Sequence, residues 1–324
     1  MKTILILFSI FMLATSCGTS DETPTTPPTA SKYQKYAKEN EIKIMSFNVR
    51  TKTSSDEGIN HWDQRKEACV ALVKDHKPTI IGFQEAQYGS QWTYLKEQLR
   101  ADYDGYGVGR TDGKESGETM GILYDRNLVE MIDCGTFWLS ETPEKVSYGW
   151  DAACRRVCSW GYFKDKQTKK KFWFFNTHMD HKGKTARVEG AKLVISKIKQ
   201  MCGNKANVIL TGDFNVPQDS EPYLQILSDG RLVDAYESAE VCYAPTGTFN
   251  SFKVANHTTK RIDHVFVSKG VKVERYGILT YHYWSDETGE KSSLTDAPHE
   301  ISANKKSVHL HSDHYPVIAT IGWE

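Results

Sequence analysis

Between Val129 and His178 the chain lays down strand after strand with no helix between them, and this stretch most limits what it can fold into. Val129–Leu139, Ala153–Phe163 and Lys171–His178 each read as extended segments, the last two joined by the polar turn Lys164–Lys170. On either side the pattern changes. Ile42–Arg50 alternates apolar and polar residues and predicts a strand. Trp62–His76 has helical spacing (Trp62, Ala68, Cys69, Leu72, Val73) and is stopped by Pro78. Thr79–Glu85 predicts a strand and Tyr88–Leu99 a helix, and Tyr106–Arg110 and Thr119–Tyr124 read as strands around a hairpin rich in glycine and charge. Further on, Thr185–Met201 carries an apolar helical stripe, Asn207–Leu210 reads as a buried strand, and Glu221–Leu227 as a short helix after Pro217. Ile262–Val267, Val271–Tyr281 and Val317–Ile321 read as strands, while Tyr283–Lys306 reads as long, polar and irregular. Strict strand–helix–strand alternation would build one parallel sheet. Its failure in the middle favours two packed mixed sheets with helices outside, an α/β sandwich.

The N-terminus is an address rather than part of that domain. Met1-Lys2 is followed by an almost wholly apolar run, Ile4–Leu13, and then by Ala14-Thr15-Ser16-Cys17-Gly18. A positive start, a short apolar core and small residues before a cut site describe a secretory signal, and the run is too short to span a bilayer. Cys17 at the cut site resembles the lipidated cysteine of a bacterial lipoprotein, although Leu13 lies one place further from it than the usual pattern has. An ordinary secreted protein is the alternative. Residues 18–31 are mostly Thr, Ser, Pro, Asp and Glu and cannot bury enough surface to fold. The expected organisation is a signal peptide over 1–16, a lipidated Cys17 and tether over 17–37, and one domain over 38–324. The implied location is exported, an outer-membrane lipoprotein on the periplasmic or cell-surface face, touching membrane only through its anchor and expected to be monomeric.

Lysine plus arginine equals aspartate plus glutamate, 41 each. That balance counts against a protein gripping a long nucleic acid through many phosphates, but not against one holding a small phosphorylated substrate with a few local cations. Export permits disulfides, yet four strand steps would hold Cys154 and Cys158 roughly 13 Å apart, too far to bridge each other. Neither is followed by a second cysteine pair at zinc spacing, so no zinc site is read and buried thiols are expected.

One segment carries chemistry. Asn207–Leu210 ends in Thr211-Gly212-Asp213-Phe214-Asn215, which places a carboxylate and an amide just past the end of a strand. Short oxygen ligands on a rigid strand end can hold a hard cation and direct an attacking water. Alone, Asp and Asn there are ordinary turn formers. Asn48, Glu85, His178, Asp263, Asp313 and His314 share the placement, each at or near a strand end, and loops at one rim of a sheet converge. Singly they have plain explanations: a turn cap for Asn48, a surface charge for Glu85, a core histidine for His178, an ion pair with Arg261 for Asp263. Those explanations would all have to hold together.

Met45-Ser46-Phe47-Asn48-Val49-Arg50, Gln84-Glu85, Asn176-Thr177-His178, Gly212-Asp213-Phe214-Asn215, Ile262-Asp263-His264 and Ser312-Asp313-His314-Tyr315-Pro316-Val317 resemble, in order, the motifs of the endonuclease/exonuclease/phosphatase superfamily, the deoxyribonuclease I-like fold. Phe137-Trp138-Leu139-Ser140 and Trp150–Arg155 resemble a secreted bacterial branch somewhat similar to its deadenylase and nocturnin-like side. The resemblance implies a four-layer α/β sandwich of two mixed β-sheets and hydrolysis of a phosphoester with Mg²⁺ or Mn²⁺. It implies Glu85 on the metal, with Asn48 and Asp313 completing the shell, and Asp213 as the group that aligns and deprotonates water. Asn215 and His178 would donate to phosphoryl oxygens, and His314, oriented by Asp263, would steady the charge on phosphorus. The tyrosine of the abasic-site endonucleases and the apolar docking loops of the sphingomyelinases have no evident counterpart.

The substrate is less legible. Lys182, Lys184 and Arg187 follow His178 directly, and Arg110 and Arg155 are further cations that could hold phosphate, with solvated loops and plain ion pairs as the alternatives. Trp150 and Trp284 could stack a base or sugar, or simply pack. The leading expectation is a phosphodiesterase or 3'-5' exonuclease on nucleic acid or nucleotides. A phosphatase for small sugar or nucleotide phosphates is the close alternative, and a catalytically silent binding lipoprotein is the rival from another class.

Overall fold

The structure, a computed structural model, describes residues 41–286 and 306–323, all within one unit, Asn40–Glu324. The signal segment, Cys17, the tether and most of the 283–306 stretch lie outside the described residues. The first half runs β1 (Glu41–Asn48), α1 (Trp62–His76), β2 (Ile80–Gln84), β3 (Ala86–Gln87), a π-turn at Tyr88–Trp92 leading into α2 (Thr93–Leu99), β4 (Tyr103–Tyr106), β5 (Glu118–Thr119), β6 (Ile122–Asp125), β7 (Val129–Trp138), β8 (Val157–Asp165) and β9 (Lys171–His178). The second half runs α3 (Lys184–Cys202), β10 (Asn207–Asp213), α4 (Glu221–Leu227), β11 (Leu232–Asp234), α5 (Ala235–Ser238), β12 (Val241–Tyr243), β13 (Asp263–Ser268), β14 (Lys272–Ile278), β15 (His282–Asp286), β16 (Lys306–Leu310) and β17 (Val317–Gly322).

Two mixed sheets result, one of seven strands in the order β12-β14-β17-β1-β2-β6-β4 and one of six in the order β11-β13-β10-β9-β8-β7. Successive side chains of a strand point to opposite faces, and β1 shows the consequence. Ile42 and Ile44 face the second sheet and meet Phe172, Phe174, Ile209 and Val265 in a core between the sheets. Met45 and Phe47 face outward and pack on Cys69, Leu72 and Val73 of α1. On the far side, Phe175, Val208 and Leu210 pack on Val194, Ile195 and Ile198 of α3. The architecture is the expected α/β four-layer sandwich, helix on sheet on sheet on helix. Its central strands are buried on both faces, so Val208-Ile209-Leu210 is an unbroken apolar run.

Near one rim the inter-sheet core turns polar. Gln84 Nε2 donates to Asn176 Oδ1 at 2.7 Å, Thr211 Oγ1 donates to the same oxygen at 3.2 Å, and Asn176 Nδ2 donates to the Phe83 and Gly121 carbonyls. The Gln84–Asn176 bond and the two from Asn176 Nδ2 cross between the sheets and set how they lie at that rim, while the Thr211 bond ties neighbouring strands of one sheet. Gly82 makes the approach possible, since a Cβ there would sit 2.5 Å from Thr211 Oγ1 and 2.6 Å from Asn176 Oδ1. Gly82→Ala is therefore expected to lower the unfolding free energy by about 1–3 kcal/mol, the usual cost of overpacking a tight core. Urea denaturation checks this, and an unchanged midpoint would show that the sheets are not held at this point.

Four local expectations shift. The strand expected at Tyr106–Arg110 lies earlier, as β4, and the helix expected from Tyr88 opens with a π-turn. β8 starts at Val157, because the Cys154 N–H is drawn out of strand geometry to Asp180 Oδ2 at 3.2 Å. Cys154 is thus not four strand steps from Cys158, and both thiols are free. Finally, His282–Asp286 is a strand, paired antiparallel with Lys306–Leu310. Its partner lies some twenty residues away in sequence, so no local pattern announces it.

Candidate active site

The polar rim is where parallel strand pairs end. β1 and β2 run parallel with Asn48 opposite Gln84, and Glu85 follows at φ 62°, in the left-handed region. A non-glycine residue held there is unusual, and it ends the strand at the carboxylate. In the other sheet β9 and β10 run parallel and β13 antiparallel to them, so that His178, Asp213 and Asp263 stand side by side across three strands. Asp313 and His314 precede β17, and His314 is fixed by an isolated bridge to Phe249.

Asp213 Oδ2 is the hub. Asn48 Nδ2 donates to it at 2.9 Å and to Glu85 Oε1 at 3.0 Å, so one amide joins the two sheets at the site. His178 Nε2 lies 3.4 Å and His314 Nε2 3.8 Å from the same oxygen. His314 Nδ1 donates to Asp263 Oδ2 at 2.8 Å. Asp263 is therefore not the partner of Arg261, whose guanidinium bonds Asp234 Oδ2 at 2.8 Å. Both hydrogens of Asn215 Nδ2 are engaged, with His178 Nε2 at 2.9 Å and the Met179 carbonyl at 3.0 Å. The amide expected to reach a phosphoryl oxygen is instead turned onto the histidine. Because His178 Nε2 accepts, its proton sits on Nδ1, which is buried and has no hydrogen-bond partner among the described residues.

Burial and the Asp263 and Glu85 charges push the Asp213 carboxyl up to about 7. Burial would discharge His314, but the Asp263 and Asp213 carboxylates outweigh it and hold the imidazolium well above its usual range. His178 moves the other way, lowered by burial and then by the Arg156 and Arg110 charges. Burial works to raise the Glu85 carboxyl, yet the Asn48 bond, His314 and the Thr51 N–H at 2.8 Å leave it lowered. One histidine is thus charged and its neighbour neutral, beside carboxylates of differing proton affinity, a division typical of sites that move protons.

The carboxylates fit a hard divalent cation. Glu85, His178 and Asp213 bring ligand atoms within 4.8 Å of one another, but the His178 Nε2 lone pair is held by Asn215, which leaves the carboxylate oxygens; the Asp313 carboxyl, raised by burial and then by Glu85, feels the same charge. A second cluster, Asp213, Asp263 and His314, already contains a cation in the imidazolium. A third, Cys154, Asp180 and His181, is filled by an arginine, with Arg156 Nε 3.4 Å from Asp180 Oδ2 and Nη2 3.0 Å from His181 Nδ1.

The candidate phosphate-holding cations separate. Arg110 is clamped to Glu118 at 2.7 Å, next to the Glu85 field. Arg155 lies over the Tyr148 ring at 4.5 Å, and Arg187 donates to the Asp180 carbonyl. Lys182 and Lys184 are exposed at the start of α3. The charged residue nearer the site is Arg156, buried at 4% exposure, with no hydrogen-bond partner for Nη1 among the described residues. The sequence reading missed it in favour of its neighbour, since one step along an extended chain changes the face. Also missed were Arg50, whose Nη1 is 3.8 Å from Asp313 Oδ2 while the rest of the guanidinium bonds Asp56, and Phe249, a partly exposed ring 5.1 Å from the His314 ring.

Buried carboxylates, hard oxygen donors and a carboxylate-held imidazolium at the rim of a four-layer sandwich define a phosphoester-hydrolase type of site. The chain belongs to the endonuclease/exonuclease/phosphatase family, whose sequence profile matches residues 45–282, and it is a hydrolase acting on phosphoester bonds. It is similar to an endonuclease/exonuclease/phosphatase family protein of Bacteroides thetaiotaomicron, with 41% identity, coverage of 89% of this chain and 99% of that one, and a TM-score of 0.80. It is equally similar to the mannosyl-6-phosphatase of B. thetaiotaomicron VPI-5482, with 41% identity, coverage of 87% and 100%, and a TM-score of 0.79. The catalytic domain of human nocturnin, at 17% identity over 89% of this chain and 95% of that one and a TM-score of 0.62, shares the fold.

Proposed function

We propose that this protein is a divalent-metal-dependent phosphatase that removes a terminal phosphate from sugars. The observation that carries the reading is the likeness, at 41% identity over the whole of the other chain, to a mannosyl-6-phosphatase. Charge supports it. A strand held phosphate by phosphate needs a row of free cations, whereas here Arg110 is tied to Glu118 and Arg156 to Asp180, and the chain has 41 basic and 41 acidic residues. Of the two finer expectations, the sugar phosphatase is better supported than the nuclease.

In this reading Glu85, with Asp313 and Asn48, holds Mg²⁺ or Mn²⁺, which when bound supplies Lewis acidity to the phosphoryl and leaving oxygens. Asp213 orients the attacking water and takes its proton. His314 donates from Nε2 to a phosphoryl oxygen and is kept charged and aligned by Asp263. His178 donates from Nδ1 to another, held in that tautomer by Asn215. Arg156 and Arg110 supply background positive charge at the same rim.

The test is hydrolysis of mannose 6-phosphate, p-nitrophenyl phosphate, bis-p-nitrophenyl phosphate and short single-stranded RNA, with Mg²⁺ or Mn²⁺ and with EDTA. Monoester cleavage abolished by EDTA and restored by the metal is expected. Turnover confined to the diester or RNA would overturn the reading. We also propose that the protein is exported and anchored through a lipidated Cys17, on the strength of the Ile4–Leu13 run and the small residues before that cysteine. Palmitate labelling that survives Cys17→Ser would refute the anchor.

A further inference from the structure

The catalytic rim gathers its donors around Asp213 Oδ2 and Glu85, and a trough is built on the chain that follows Glu85, from Gln87 onward. Two concavities, of about 480 and 570 Å³, share Tyr88, Gly89 and Glu115 in their walls and so run into one another. The near end is built on Lys52 and Gln87. Lys52 is the residue after Thr51, whose N–H holds Glu85 Oε2, and Gln87 lies two residues beyond Glu85. The far end reaches β4 at Tyr103–Gly105. Each volume lies within the range of small-ligand clefts, about 300–1,000 Å³.

The walls are preformed. Ala86 and Gln87 pair with Thr119 and Glu118, and the Tyr88 N–H donates to the Gly117 carbonyl at 3.0 Å. The trough's charges balance, Lys52, Lys96 and Arg100 against Glu97, Asp104 and Glu115. Lys52 is 2.8 Å from Asp63 and Arg100 is 2.9 Å from Glu97, so two of the three cations are already paired. A polyanionic strand needs an electropositive track and finds none here. The near half offers the hydroxyls of Ser90 and Ser116, the Gln87 amide, and the half-buried ring of Tyr88 at its junction with the far half. Hydroxyls and amides match the donors and acceptors of a sugar, and an aromatic face packs against the C–H face of a pyranose.

We propose that the trough is a saccharide subsite. The substrate is a phosphorylated oligosaccharide whose phosphoryl group sits among Glu85, Asp213 and His314 while further sugar residues extend over Tyr88. This rests on the sugar-phosphatase reading and narrows its substrate class.

The experiment compares kcat/KM for mannose 6-phosphate and for a mannobiose bearing one 6-phosphate, in wild type, Tyr88→Ala and Ser116→Arg. Ser116 is exposed, so the arginine adds bulk to the trough without entering the core and serves if Tyr88→Ala folds poorly. Wild type is expected to favour the disaccharide at least tenfold, and both variants to bring the ratio towards one. A wild-type ratio within twofold of one overturns the proposal. If neither ester is hydrolysed, the phosphatase reading fails, and calorimetric titration with unphosphorylated mannotriose decides the trough by itself. Binding that Ser116→Arg abolishes upholds it, and no binding overturns it.

Discussion

Asp213→Asn is expected to lower kcat by about a thousandfold or more while leaving the fold in place. General-base groups contribute about 10²–10⁴ to rate, and this carboxylate is also where Asn48, His178 and His314 converge. The asparagine keeps the shape and can still accept from the Asn215 N–H, which now bonds Oδ1 at 2.8 Å. What it loses is the ability to take a proton and, at the Oδ2 position, the acceptor for Asn48 Nδ2. Activity on a sugar phosphate, read beside a thermal melt, separates the two effects. Retention of activity within tenfold would remove Asp213 from the chemistry, and a collapsed melt would require the same comparison with Asp213→Glu.

The largest expected loss of stability is elsewhere, at Arg65. This arginine of α1 is fully buried and, among the described residues, donates only to backbone carbonyls. Nε reaches Asn60 at 2.9 Å, Nη1 reaches Val49 and His311, and Nη2 reaches Arg50 at 2.8 Å. Three of those carbonyls flank site residues, since Val49 and Arg50 follow Asn48 and His311 lies two places before Asp313. Arg65→Met would take the guanidinium away from all four, leaving Arg50 with only Gln91 Nε2 and His311 with only the weak Cys69 thiol donor, at an expected cost of about 3–5 kcal/mol for several buried carbonyls that lose a charged donor. The Mg²⁺ concentration for half-maximal activity is expected to rise severalfold, because Asn48 and Asp313 lose a common brace. Denaturant unfolding and a Mg²⁺ titration check the two effects, and a stability loss below 1 kcal/mol would show that Arg65 is not the brace.

Arg65 also marks where sequence reading stops. In the sequence it is one more charged residue in an amphipathic helix, and nothing local says that its helix face meets two loop ends from opposite ends of the chain. Phe249, Arg156 and the Tyr88 trough are alike in this. Each depends on which neighbour a long-range pairing brings up, as with His282–Asp286, whose strand exists only because Lys306–Leu310 lies beside it.

Asn48, Glu85, His178, Asp213, Asp263 and His314 were legible for the opposite reason. Asn48, Glu85, His178 and Asp213 stand at or just past the end of an apolar alternation or run, and Asp263 and His314 at or just before the start of one, a signal contained within a few positions that gained weight only as a set. The same local periodicity, interrupted between Val129 and His178, was enough to favour two sheets over one. By itself the sequence determined most of the elements, a preference for two sheets and the polar residues at the strand ends, because those follow from short-range spacing. Only the tertiary structure decided that one asparagine, Asn48, joins the two sheets through Asp213 and Glu85, that Asn215 serves His178, and that Gln87 and Tyr88, just after Glu85 in the chain, line a trough of balanced charge. Those outcomes depend on contacts between segments far apart in the chain, which no local spacing encodes.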